Sequence, residues 1–184
     1  MESKTISQIK RGKLFTIIML AFLSISSCAQ KKQAPKIDIH TAVLNGEIQT
    51  VKQHIAAKSD LNVKENSSGS TPLISAALFG KVEIAKLLID AGALLNVQNN
   101  EGSTALITAS FFCHPEIVKM LIAKNADKTI KNNYGSTAYD AVNAPFEEAK
   151  PFYDMTGAAL APLGVKLDYE YIKKTRPVIV AMLK

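Results

Sequence analysis

Apolar positions between residues 37 and 143 fall at helical spacing in short runs, and the runs recur about every 33 residues. Val82, Ala85, Leu88 and Ile89 put four apolar side chains on one face of a helix over about 82–91. A preceding run predicts a partner helix over about 72–79, with Gly80 breaking the chain between the two. The lead-in to this pair is Gly69-Ser70-Thr71-Pro72-Leu73-Ile74. Gly102-Ser103-Thr104-Ala105-Leu106-Ile107 and Gly135-Ser136-Thr137-Ala138-Tyr139-Asp140 align with it without gaps, each glycine 33 residues after the last. An earlier copy begins at Asp38-Ile39-His40-Thr41 and reaches Gly46, which lies 34 residues before Gly80. The extra residue falls in the loop between Asn62 and Gly69.

Each part of the unit has a physical role. Gly69, Gly102 and Gly135 supply a turn conformation that a side chain would strain. Thr71, Thr104 and Thr137 are placed to cap the following helix, and Pro72 suits a first turn. Gly92 ends the second helix in the left-handed conformation. A two-helix unit cannot bury its apolar face alone, so neighbouring units must stack.

These motifs resemble the ankyrin-repeat family, whose unit reads G-x-T-P-L-H, then A-A-x-x-G, then V-x-x-L-L and G-A. Ala76-Ala77-Leu78-Phe79-Gly80 and Val82 to Ala93 match the later parts. The resemblance implies an all-α solenoid over residues 37–143, with about four helix-turn-helix units and short turn fingers. The family's signature histidine is replaced by Ile74, Ile107 and Asp140, and only His40 occupies that place. The fourth unit loses its pattern after Ala141, and Pro145 and Pro151 are expected to break a second helix there. Residues 144–184 therefore read as a divergent helical cap, with helices over 168–174 and 178–184 separated by Pro177. Phe146, Phe152, Tyr153, Leu160, Leu163, Tyr169, Tyr171 and Ile172 are expected to seal the last unit. The alternative is a partner-binding tail.

Residues 14–25 form a mostly apolar run behind a basic stretch, too short for a membrane-spanning helix of roughly 20 residues. This predicts a signal peptide over 1–27. Ile25-Ser26-Ser27-Cys28 resembles a bacterial lipobox, which implies cleavage before Cys28, lipidation of its thiol, and a tether over 28–36. Ala29 after the cysteine implies an outer-membrane lipoprotein, on the periplasmic or cell-surface side. The alternatives are a secreted protein with an incidental cysteine, or a single uncleaved anchor.

Charge changes the picture little. Of the formal +6, a net three charges come from Lys4, Lys10, Arg11 and Lys13 against Glu2. The remainder carries no Lys/Arg-dense stripe and there is no Trp, so nucleic acid is not expected as a partner. With Cys28 lipidated, Cys113 has no partner for an intramolecular disulfide.

No catalytic residue, metal site or cofactor is expected. The sequence lacks H-E-x-x-H, C-x-x-C and G-x-x-x-x-G-K-[ST]. His40 and His54 fall at structural positions of the repeat. Cys113-His114 are adjacent without a third group to orient the imidazole, and Cys113 stands where Gly80 stands one unit earlier. Glu147 and Glu148 read as a solvated face.

In ankyrin proteins the partner usually meets the concave face, formed by turn tips and first helices. Carried over by position, the resemblance points to Leu44, Leu78, Phe79, Phe111 and Phe112 on the helices. Asn99, Asn100, Asn133 and Tyr134 stand on the turn tips. The expected role is a non-catalytic adaptor, monomeric, held at the membrane through Cys28 and binding another protein. Alternatives are a small enzyme with its site in 144–184, or an inhibitor or immunity-type protein.

Overall fold

The computed structural model describes residues 33–184. The expected leader over 1–27, Cys28 and most of the tether lie outside the described residues.

Three helical hairpins follow one another: α1 (Ile39–Asn45) with α2 (Ile48–Ala56), α3 (Pro72–Leu78) with α4 (Val82–Asp90), and α5 (Ala105–Phe111) with α6 (Pro115–Ala123). The first helices start on side-chain caps. Asp38 accepts from the His40 and Thr41 amides, and Thr71 and Thr104 accept from Ile74 and Ile107. Each first helix ends on a residue with positive φ: Gly46 at 74°, Gly80 at 61° and Cys113 at 59°. The second helices do the same, at Lys58, Gly92 and Asn125. First helices pack on first helices and second on second through the stack. Ala42, Ala76, Ala77 and Ala109 are fully buried, and small side chains there allow the first helices to approach closely. Leu73, Leu88, Leu106, Ile117 and Leu121 fill the core between layers.

On the second helix of the second unit the buried face differs by one residue from the expected one. Val82 is 39% exposed and Ile84 takes its place beside Ala85, Leu88 and Ile89. Val82 is the first residue of α4, and the buried face begins two residues later.

The fourth unit is more complete than its sequence suggests. Its first helix is the short α7 (Asp140–Asn143), and its second is the long α9 (Tyr169–Leu183). α9 packs on α6 and α7, as α6 packs on α4 and α5. Between the halves of this hairpin stands an insertion, residues 145–168. It contains α8 (Phe146–Leu160) and a 3-10 turn (Ala161–Leu163).

Both helices of the terminal region run through their prolines. Pro151 lies inside α8 and Pro177 inside α9, so the expected break at Pro151 and the expected division of the last helix are absent. Pro151, Pro177 and the residues four before them, Glu147 and Lys173, are all exposed. The carbonyls freed by the missing amides therefore face water, which limits the usual penalty. On either side of Pro177, Ile172, Arg176, Ile179 and Leu183 hold α9 against the stack. Tyr153 and Ile172 are buried as expected, whereas Phe152 and Leu163 in the insertion and Tyr171 on the outer side of α9 remain exposed.

Thr137 caps in a variant way. Its hydroxyl accepts from the Asp140 amide at 3.2 Å, while the Asp140 carboxylate accepts from the Thr137 amide at 2.9 Å. This reciprocal pair is a capping box, and it gives the residue in the signature-histidine position a local task. His40 bonds through Nε2 to the Val63 carbonyl at 3.1 Å. His54 bridges the Ile37 carbonyl and the Ser59 hydroxyl.

Candidate functional site

The turn fingers are held together by a ladder that repeats with the unit. The Asn100 amide nitrogen donates to Ser68, and its side chain to Ser67; Asn133 repeats this on Glu101 and Asn100. Asn99 and Asn132 close their own fingers by accepting from backbone amides two and four residues on. The side-chain amides of Asn100 and Asn133 are thus engaged by neighbouring fingers. Tyr134 stands free at a finger tip, 68% exposed.

α8 leans on the first-helix side of the stack chiefly through Tyr153, with Ala149 also buried. The Tyr153 ring stacks on Phe111 with centroids 4.4 Å apart and planes at 19°. Its hydroxyl donates to the Phe111 carbonyl at 2.8 Å, satisfying one of the carbonyls left open at the end of α5. Arg176, buried in α9, donates to the Tyr153 hydroxyl and to the carbonyls of Ala141 and Ala144 behind α7. A guanidinium with five donors suits this threefold task better than a lysine would.

The result is a groove of about 590 Å³ along the concave face. Ile74, Leu78, Ile107, Phe111 and Phe112 contribute from the first helices, and Asn99, Glu101, Asn132 and Tyr134 from the fingers. α8 adds Glu148, Phe152, Met155 and Thr156. Phe152 and Met155 are 55% and 62% exposed, so large apolar side chains here are open to a partner. A second cleft, about 360 Å³, lies toward the hairpin turns and brings Leu44, Phe79 and Phe112 together with residues 163–168. Phe111 serves both sides, since it lines the groove while supporting Tyr153.

The sequence-derived residues are therefore gathered in part. Leu78, Phe111, Phe112, Asn99 and Tyr134 line the groove, Leu44 and Phe79 the neighbouring cleft, and Asn100 and Asn133 the finger ladder. Sequence reasoning missed the α8 contribution. The signal was present as helical spacing of Ala149, Phe152, Thr156 and Leu160, but Pro151 argued against a helix there.

Burial pushes the Cys113 thiol up to about 11 and the Tyr153 phenol up to about 12. Burial lowers His114, whose Nε2 meets the Leu78 carbonyl at 3.3 Å, whereas the Cys113 sulfur faces the Ile172 carbonyl. The adjacent thiol and imidazole thus turn to different helices. Asp154 is lowered by hydrogen bonds from Lys150 and Tyr169. Cys113, Tyr153 and Asp154 all move away from neutrality, the reverse of what general acid–base work requires.

An ankyrin-repeat family model (three copies) matches residues 39–132, and the chain belongs to that family. Curated relatives include inversin from Gallus gallus, 39% identical over 32% of this chain and 5% of the relative. Another is the human ankyrin repeat and SAM domain-containing protein 3, 40% identical over 33% of this chain and 9% of the relative. The matched segments are thus small parts of these longer proteins. Among solved structures, the ankyrin repeat domain of Bcl-3 is similar with a TM-score of 0.54 and 30% identity, covering 56% of this chain and 45% of that one. Membership of this family implies a surface that binds another protein.

Proposed function

We propose that the chain is a lipid-anchored, non-catalytic adaptor of a bacterial outer membrane, which holds a partner protein in its concave groove. The observation that carries this reading is the exposure of Tyr134, Phe152 and Met155 around a groove floored by Leu78 and Phe111. Apolar side chains gathered in one concavity on a rigid stack offer desolvation without an ordering cost, which favours association. The anchoring part rests on the sequence of Ile25-Ser26-Ser27-Cys28 behind its apolar run. Several acyl chains give lasting attachment where one gives only marginal binding.

The test has two arms. Cys28→Ala should abolish labelling of the chain by a metabolically supplied alkyne fatty acid and release it from the membrane fraction. Phe112→Ala with Tyr134→Ala should retain cooperative unfolding and lose the protein captured by in-cell crosslinking. Capture at the original level in a folded double variant would refute the concave-face reading, and persistent labelling of the Cys28 variant would refute the anchor.

A further inference from the structure

We infer that the groove selects a cationic amphipathic segment of its partner, with α8 as the element that makes the selection. This rests on the adaptor reading and specifies the chemistry of the guest. The apolar component comes from two sides: half-buried Leu78, Phe111 and Phe112 at the ends of the first helices line the groove, as do Phe152 and Met155 on the insertion.

The charge component has one sign. Glu101, Asp140 and Glu148 line the groove, and no lysine, arginine or histidine does. The chain as a whole is formally +6, so the acidic lining runs against the composition rather than with it. All three are exposed and come from separate elements: a finger, α7 and α8. Asp140 is lowered by its bonds from Thr137 and, more weakly, by Lys131, which is near but outside the groove lining. An apolar guest without cations would desolvate the Glu101 and Glu148 carboxylates without compensation, and an acidic guest would add repulsion. A guest with lysines or arginines flanking apolar residues satisfies both parts of the lining. Such a segment can be helical or extended, since the selection requires only apolar anchors with cations beside them.

The test uses the full chain in non-ionic detergent and a photo-crosslinking peptide of leucine and lysine at helical spacing, with one benzophenone side chain. Two controls replace lysine by glutamate, or leucine by serine. The leucine–lysine peptide should label residues of the fingers and α8, and both controls should label them far less. Glu101→Gln with Glu148→Gln should weaken that labelling about fivefold, the scale expected for two exposed charge pairs. Phe152→Ser with Met155→Ser should abolish it; circular dichroism and melting curves verify that both variants remain folded. Equal labelling by the leucine–glutamate peptide, or no response to the double glutamine variant, overturns the inference. Labelling elsewhere on the chain also overturns it, and the adaptor reading still stands if in-cell capture depends on Phe112 and Tyr134. Loss of that dependence as well removes both.

Discussion

The Arg176 guanidinium donates to the Tyr153 hydroxyl at 2.9 Å, and that hydroxyl donates onward to the Phe111 carbonyl. One buried cation thus joins the last helix, the insertion and the end of α5, while also serving two carbonyls behind α7. Arg176→Met keeps much of the packing and removes every donor. It should destabilise the protein by about 2–4 kcal/mol, because the buried Tyr153 hydroxyl and two part-buried carbonyls lose their donor. Urea unfolding reads the loss.

Tyr153→Phe separates docking of the insertion from stability of the stack. The ring still stacks on Phe111, but the bonds to Phe111 and Arg176 vanish. The expected cost is about 1–3 kcal/mol. Amide exchange over 146–160 should accelerate much more than exchange in α3 to α6; uniform acceleration would contradict a separable insertion.

High pH should act on the same junction. Tyr153 is pushed from 10.0 up to about 12 and Cys113 from 9.0 up to about 11, both chiefly by burial. A folded-state pKa above the unfolded value means that the unfolded chain releases its proton first. The stabilising contribution is full below about pH 9 and is lost as pH rises toward 12. Urea midpoints measured from pH 8 to 12 should fall, and Tyr153→Phe should flatten the upper part of that decline.

Gly102 and Gly135 share a left-handed backbone, with φ of 74° and 76°, but differ in surroundings. A Cβ on Gly102 would come within 2.5 Å of the Asn133 side-chain oxygen, whereas nothing lies within 4 Å of one on Gly135. Gly135→Ala should therefore cost only the backbone term, about 1–2 kcal/mol. Gly102→Ala should cost more and loosen the finger ladder. Equal melting temperatures for the two variants would show that the ladder contributes nothing.

Leu88 is fully buried between the second helices. Leu88→Ala should cost about 2–5 kcal/mol and broaden thermal unfolding, since a cavity in a middle layer weakens both neighbouring interfaces. An unchanged melting curve would contradict the stacked arrangement.

The solenoid was readable because its determinants are local and repeated. Thr71 and Thr104 cap in their own turns, and Gly80 and Cys113 turn the chain at matching positions. The cysteine's left-handed backbone could be anticipated only by alignment with Gly80. Concave-face residues such as Leu78 and Tyr134 followed from that same register. The terminal unit was obscured because its determinants are distant: Arg176 acts on Ala141 and Tyr153 across an insertion, and no local pattern announces such a pairing. Proline propensity pointed the wrong way at Pro151 and Pro177, where solvent-facing carbonyls made the helices tolerable.

The interrupted fourth hairpin has a kinetic consequence. Its helices are separated by residues 144–168, whereas only residues 79–81 separate α3 from α4. Closing the longer gap costs about 2 kcal/mol more chain entropy, partly offset once α8 docks. A nascent polypeptide can assemble the first three hairpins well before the second helix of the fourth is made. The seam of that hairpin must wait for its fifteen-residue second helix, so the interrupted unit closes after the three that precede it.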